Sequence, residues 1–157
     1  MSSTPSPAVT EPTGHQAALV DVAEQSFFAM AELCGAGEVE DEIAAEPAWL
    51  RAHMPFSSDH ERGLLTIVLP AALAHDLSAA FSGSDPAELT VDLVHDLTGE
   101  LCNMVCGLWL TRSCPHDRFR LQPPDVAEVA APRGGPRWTF ARINGVPVAI
   151  EASREPL

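Results

Sequence analysis

The longest amphipathic pattern in this 157-residue sequence runs from Asp85 to about Thr111 and constrains the fold more than any other segment. Asp85 is a good N-cap residue, Pro86 suits the first helical position, and Glu88 stands where the acid of a capping box belongs. We therefore predict a long helix over residues 85–111. At about 100° per residue, its apolar residues form one wide face toward the core. These residues are Val94, Leu97, Leu101, Met104, Val105 and Leu108.

Patterns of other kinds flank this helix. Residues 15–34 repeat apolar side chains at helical spacing and end before Gly35, which predicts a second long helix. Residues 70–83 predict a short helix, and the acidic stretch 35–47 predicts a solvated loop. The Asn144-Gly145 pair between two apolar runs indicates a β-hairpin. Strands are predicted over residues 48–56, 63–70, 118–122, 125–130, 137–143 and 146–152.

Together these elements predict an α+β two-layer fold. A largely antiparallel sheet of about five or six strands would carry two long helices and one short helix on one face. Residues 1–13 are rich in Ser, Thr and Pro, which predicts a disordered tail, and residues 14–153 predict a single domain.

Composition excludes several classes of function. The formal net charge is −13, from 22 acidic and 9 basic residues, so nucleic acid and anionic membrane surfaces would be repelled. All nine basic residues are arginine, which excludes a Walker phosphate loop and a Schiff-base lysine. The sequence shows neither signal-peptide features at its N-terminus nor an apolar run of about 18 residues. We therefore predict a cytoplasmic protein with reduced thiols.

The segment "DLTGELCNMVCG", residues 96–107, places a polar stripe beside the apolar face of the predicted helix. Asp96, Glu100 and Asn103 share this stripe, and Gly99 and Gly107 lie on or near it. Glycine inside a helix costs about 1 kcal/mol relative to alanine, so two of them need a physical reason. One reason is close approach of another surface; the alternative is a solvated face whose glycines serve internal packing.

The same segment resembles the signature helix of the CheC/CheX/FliY phosphatases. That signature is an acidic residue, three spacers, Glu-x-x-Asn, three spacers and Gly, matched here by Asp96, Glu100, Asn103 and Gly107. The order of elements also resembles CheX over about residues 15–152. In the first predicted helix Glu24 is followed three residues later by Phe27 rather than by asparagine, which resembles the single site per chain of CheX.

The resemblance implies hydrolysis of the aspartyl phosphate of a CheY-like response regulator. It implies that Asn103 orients the attacking water, that Glu100 pairs with the regulator's lysine, and that Asp96, Gly99 and Gly107 bind the partner. Mg²⁺ would reside on the regulator, with no cofactor bound by this chain, and a homodimer is expected. The alternative is a non-catalytic module that docks a receiver or another signalling domain; the retained asparagine favours the enzyme.

The cysteines and histidines suggest other chemistry only weakly. Cys102, Cys106, Cys114 and His116 match no common zinc spacing, so we predict no metal site and interpret Cys102 and Cys106 as buried thiols that pack as small hydrophobes. The remaining histidines are scattered and form no H-E-x-x-H motif.

Overall fold

The computed structural model describes residues 13–132 and 137–157. Within these ranges the chain forms four α-helices, two short 3₁₀ turns and seven strands. The predicted tail lies outside the described residues except for Thr13, whose side chain caps the first helix through Gln16 N. In chain order the elements are α1 (Gly14–Ser26), β1 (Ala31–Cys34), a turn (Ala36–Glu38), α2 (Glu40–Ala45), β2 (Trp49–Ser57), β3 (Glu61–Pro70), α3 (Ala71–Ser82), a turn (Pro86–Glu88), α4 (Val91–Ser113), β4 (Arg120–Leu121), β5 (Asp125–Val129), β6 (Thr139–Ile143) and β7 (Val146–Pro156).

The described strands form one antiparallel sheet in the order β1-β6-β7-β3-β2-β4, and β5 pairs with β2 on the same side as β4. The hairpin predicted at Asn144-Gly145 joins β6 to β7, and both residues adopt positive φ angles of 51° and 77°. The sheet therefore confirms the predicted α+β class and its antiparallel pairing. Its two edges are β1 on one side and β4 with β5 on the other.

Alternation along the strands divides the core between the two faces of the sheet, because successive side chains point to opposite faces. Leu50 and Ala52 on β2 and Leu65 and Ile67 on β3 face α1, α3 and α4 in the larger apolar cluster. A smaller cluster on the opposite face joins the sheet to α2. Its buried members are Val39, Ile43, Trp49, Val68, Phe140 and Ala149.

Helix α2, which was not predicted, shows that the prediction of a solvated loop over residues 35–47 is wrong. Val39 and Ile43 lie four residues apart, so one helical turn turns both toward the sheet, where they are 0% and 8% exposed. An ion pair between Arg142 and Glu42 fastens the same segment to β6. The acidic residues that dominate the composition concealed this narrow apolar face.

The helix predicted over residues 15–34 is also wrong beyond Ser26. Phe28 has a φ of 56°, which turns the chain out of the helix, and residues 31–34 become β1 by pairing with β6. The side of β6 that does not face β7 pairs with β1 through backbone hydrogen bonds. These long-range bonds stabilise a strand at residues 31–34 despite the helical spacing of the apolar residues there.

Helix α4 begins five residues later than predicted, with Thr90 rather than Asp85 as its N-cap; the Thr90 side chain accepts a hydrogen bond from Leu93 N. Asp85 caps only the preceding 3₁₀ turn, and Leu89 is extended, with φ −72° and ψ 129°. At the other end α4 continues to Ser113, slightly past the predicted Thr111. No helix in the described part of the chain is both long and apolar enough to span a membrane.

Candidate functional site

Helix α4 directs its polar stripe away from the sheet. The centre of its buried face is formed by Thr98, Cys102, Val105 and Trp109, all less than a tenth exposed. At about 100° per residue, the predicted site residues lie on the side of the helix opposite this buried face. Those residues are Asp96, Glu100, Asn103 and Gly107.

The buried face is rotated relative to the prediction. Leu97, Met104 and Leu108, predicted to face the core, are only half-buried at its rim. Cys102 and Cys106 occupy the centre instead, and the Cys102 Sγ lies 3.7 Å from the Ala52 carbonyl oxygen of β2. Small residues on this side let α4 pack close to the sheet. The spacing of the large apolar residues did not indicate that these small residues would form the centre of the buried face.

Glu100 and Asn103 are half-buried, and their side chains are free of internal partners within the described ranges. Elsewhere on α4, Thr98 donates to the Val94 carbonyl and Arg112 forms an ion pair with Asp21. The free carboxylate of Glu100 can accept hydrogen bonds from a cation, and the amide of Asn103 can donate to and accept from a water molecule. Together they suit a site that grips and positions an external group.

The two glycines of the stripe have different surroundings. A Cβ added at Gly107 would meet nothing within 4 Å, so this position is open. A Cβ added at Gly99 would lie 3.0 Å from Cγ of Pro124 and 3.5 Å from Cγ2 of Val126. Gly99 is therefore buried under the chain that leads into β5, and the prediction that it opens space for a partner is wrong.

The cysteines of α4 are packing residues, as predicted. Cys102 and Cys106 are both 0% exposed. Burial raises the pKa of Cys106 to about 12 and raises that of Cys102 further, so both thiols stay neutral. Among the described residues, no group of three or more His, Cys, Asp or Glu side chains is arranged to hold a metal ion.

A recess beside Gly107 was missed at the sequence level. It has a volume of about 170 Å³, and its wall includes Leu110, Phe119 and Leu121. The sequence predicts a turn over residues 113–117 and a strand over residues 118–122, and neither pattern indicates that Phe119 reaches α4. A larger groove of about 500 Å³ lies at the ends of β2, β3 and β7, away from the stripe, and its Arg62 and Glu155 neutralise each other.

Solved structures of the CheC and CheX type share this fold. The CheX protein of Vibrio vulnificus superposes with a TM-score of 0.68 at 18% identity, covering 90% of this chain and 94% of its own. A CheC-like superfamily protein from a Shewanella species gives 0.61 at 18% identity, with 90% and 95% covered. The CheX–CheY–BeF₃–Mg²⁺ complex of Borrelia burgdorferi gives 0.59 at 12% identity, with 90% and 96% covered. These TM-scores establish a common fold, and at such low identities they assign no role to any residue of this chain.

The sequence itself identifies the family. The profile described as chemotaxis phosphatase CheX matches residues 51–131, which is 81 of 157 residues. The chain belongs to the CheX family. No curated protein matches its sequence significantly.

Proposed function

We propose that this protein hydrolyses the aspartyl phosphate of a CheY-like response regulator, with Glu100 and Asn103 as its active residues. One observation carries the proposal: in a member of the CheX family, both side chains leave the outward face of α4 without a partner among the described residues. The Borrelia complex, which pairs a CheX with CheY, BeF₃ and Mg²⁺, supports the choice of partner.

In the proposed mechanism the receiver domain brings the aspartyl phosphate, Mg²⁺ and a lysine. The Asn103 amide holds a water in line with the phosphorus–oxygen bond of the acyl phosphate. Water attacks phosphorus, that bond breaks, the receiver's aspartate leaves as a carboxylate, and inorganic phosphate departs with the oxygen of water. Glu100 accepts hydrogen bonds from the lysine ammonium and fixes the register of the two proteins.

The test follows phosphate release from a phosphorylated receiver domain of the same organism in the presence of Mg²⁺. Asn103→Ala should lower turnover on the order of 100-fold, because positioning of the water is lost. Gln25→Ala is the matched control, since it removes an exposed amide from another helix, α1. Equal rates for wild type and Asn103→Ala would refute the proposed role.

Glu100→Ala tests the lysine contact. It should weaken receiver binding and raise KM in addition to slowing turnover, because a charge-assisted hydrogen bond is lost. Glu40→Ala removes a carboxylate from α2, on the opposite face of the sheet, and should change neither quantity. An unchanged KM in Glu100→Ala would contradict the pairing with lysine.

A non-catalytic docking module is the alternative outcome of the same assay. It would bind the phosphorylated receiver while releasing no phosphate above the spontaneous rate, and Asn103→Ala would leave that binding intact. The free amide of Asn103 favours the phosphatase, since docking alone does not need a group that orients water.

We also propose that the protein acts as a cytoplasmic homodimer joined through the β1 edge of its sheet. Phe28 and Met30, just before β1, are 76% and 82% exposed, which is unusual for large apolar side chains. The strand beside them is a sheet edge able to accept another strand. Sedimentation should show a dimer that Met30→Glu dissociates; a monomeric wild type would refute this assembly.

A further inference from the structure

The recess beside Gly107 is a direct continuation of the stripe that carries Glu100 and Asn103. Gly107 and Thr111 follow Asn103 at four-residue intervals, so they lie on one face of α4, and both border the recess. At 1.5 Å per residue, the recess begins about 6 Å beyond Asn103 along the helix axis. A protein held at Asn103 would therefore cover the recess as well.

Leucine and phenylalanine side chains form the apolar part of the recess wall and are held in place by packing, while Thr111, Cys114 and Asp117 border the recess with polar groups. Leu110 is 2% exposed, and Phe119 packs edge-to-face on Phe56 with ring centroids 5.9 Å apart. Phe119 and Leu121 are half-buried and leave part of their surface toward the opening. The volume of about 170 Å³ suits one branched or aromatic side chain, since an apolar cavity of about 150 Å³ accepts benzene.

The stripe on the other side of Asn103 is negatively charged. Asp92, Asp96 and Glu100 follow one another at four-residue intervals, a spacing at which like charges repel. Within the described ranges, none of the three has an arginine partner, whereas most arginines are neutralised elsewhere. The arginines in ion pairs are Arg51, Arg62, Arg112, Arg120, Arg142 and Arg154.

We propose that these two features dock the phosphorylated receiver in one orientation. Its cationic side chains lie along Asp92 and Asp96, and one of its apolar side chains enters the recess beside Gly107, with Asn103 between them. The inference rests on the proposed function for the identity of the partner. Charge complementarity selects the cationic side of the receiver, and the continuity of Gly107 with the stripe assigns the recess to the same partner.

The test measures affinity directly, without turnover, using a receiver domain loaded with beryllofluoride and Mg²⁺ as a stable mimic of the phosphorylated state. Gly107→Leu fills the mouth of the recess, where a Cβ meets nothing within 4 Å, and Thr111→Phe does so from a second position. Each should raise Kd by about tenfold or more, with the same rise at low and high salt. Ala44→Leu on α2 is the matched control and should leave Kd unchanged.

Asp96→Asn tests the charged half of the surface. It should raise Kd several-fold at low salt and reduce the dependence of Kd on salt, because screening acts on exposed charges. Asp41→Asn makes the same change on α2 and should have no effect. Melting temperatures of all variants establish that they are folded.

The two proposals fail differently. Wild-type Kd values in the Gly107→Leu, Thr111→Phe and Asp96→Asn variants overturn the docking orientation, even if Asn103→Ala still abolishes phosphate release. An absence of phosphate release by the wild type overturns the phosphatase, while the Kd series still decides the orientation. If the wild type does not bind the loaded receiver, both proposals are refuted.

Discussion

At the level of single residues, α4 contains two glycines eight positions apart whose surroundings differ. Gly99 is covered by Pro124 and Val126, so its missing side chain serves the packing of α4 on β5. Gly107 has open space around it, so its missing side chain serves no internal contact. The stripe is therefore an exposed surface along the outward side of α4, and Gly99 belongs to the interior.

Alanine at each glycine should separate these roles. Gly107→Ala should raise the free energy of unfolding by up to about 1 kcal/mol, because alanine favours a helix and meets no neighbour. Gly99→Ala should raise the free energy of unfolding less, or lower it, since the added Cβ would lie 3.0 Å from Cγ of Pro124. Urea unfolding of the two variants measures the difference, and an equal gain in both would contradict the burial of Gly99.

At the scale of elements, the start of α4 is decided by Thr90 rather than by Asp85. Both side chains accept a hydrogen bond from a backbone N–H, from Leu93 in one case and Ala87 in the other. Only the bond from Leu93 N to the Thr90 side chain belongs to α4, the 23-residue helix that carries the site. The extended Leu89 separates the two capped segments.

Removal of each cap should therefore have a different cost. Thr90→Ala should lower the free energy of unfolding by about 1 kcal/mol, since it leaves an N–H at the start of α4 without its partner. Asp85→Ala should cost less, because it affects a turn of three exposed residues. Thermal unfolding of the pair is the measurement, and a larger loss in Asp85→Ala would place the functional helix start at residue 85.

At the scale of the whole molecule, Trp109 joins the helical layer to the sheet. His15 of α1 and Phe56 of β2 pack edge-on against its ring, with centroids 5.5 Å and 5.6 Å away. The guanidinium of Arg154 on β7 lies 5.4 Å from the ring centre. One side chain near the end of α4 thus contacts three other elements.

Burial at this junction lowers the pKa of His15 below its ordinary 6.5. A His whose pKa is lower in the folded than in the unfolded state binds fewer protons when folded. Its stabilising contribution is therefore complete above about pH 6.5 and is lost as the pH falls below that value. His15→Phe keeps an aromatic ring and removes this titration. The melting temperature of the wild type should fall more between pH 7.5 and 5.5 than that of the variant, and equal decreases would contradict the lowered pKa.

Elements that depend on neighbouring residues alone could be predicted from the amino-acid sequence. The β6–β7 hairpin follows from Asn144-Gly145, since that pair tolerates positive φ angles. The outward stripe follows from the 3.6-residue period, which gathers Asp96, Glu100 and Asn103 on one side of any helix they form. The candidate site could therefore be named before its surroundings were known, although the roles of its residues remain predictions.

Features that depend on contacts between distant segments could not be predicted from local patterns and are visible in the folded chain. Residues 31–34 became a strand because β6 offered an unpaired edge more than 100 positions later. Gly99 became a packing residue because Pro124 covers it, and the recess exists because Phe119 returns to the end of α4. Burial and sheet pairing depend on which surfaces meet, and a local pattern contains no information about the segment that will arrive from elsewhere.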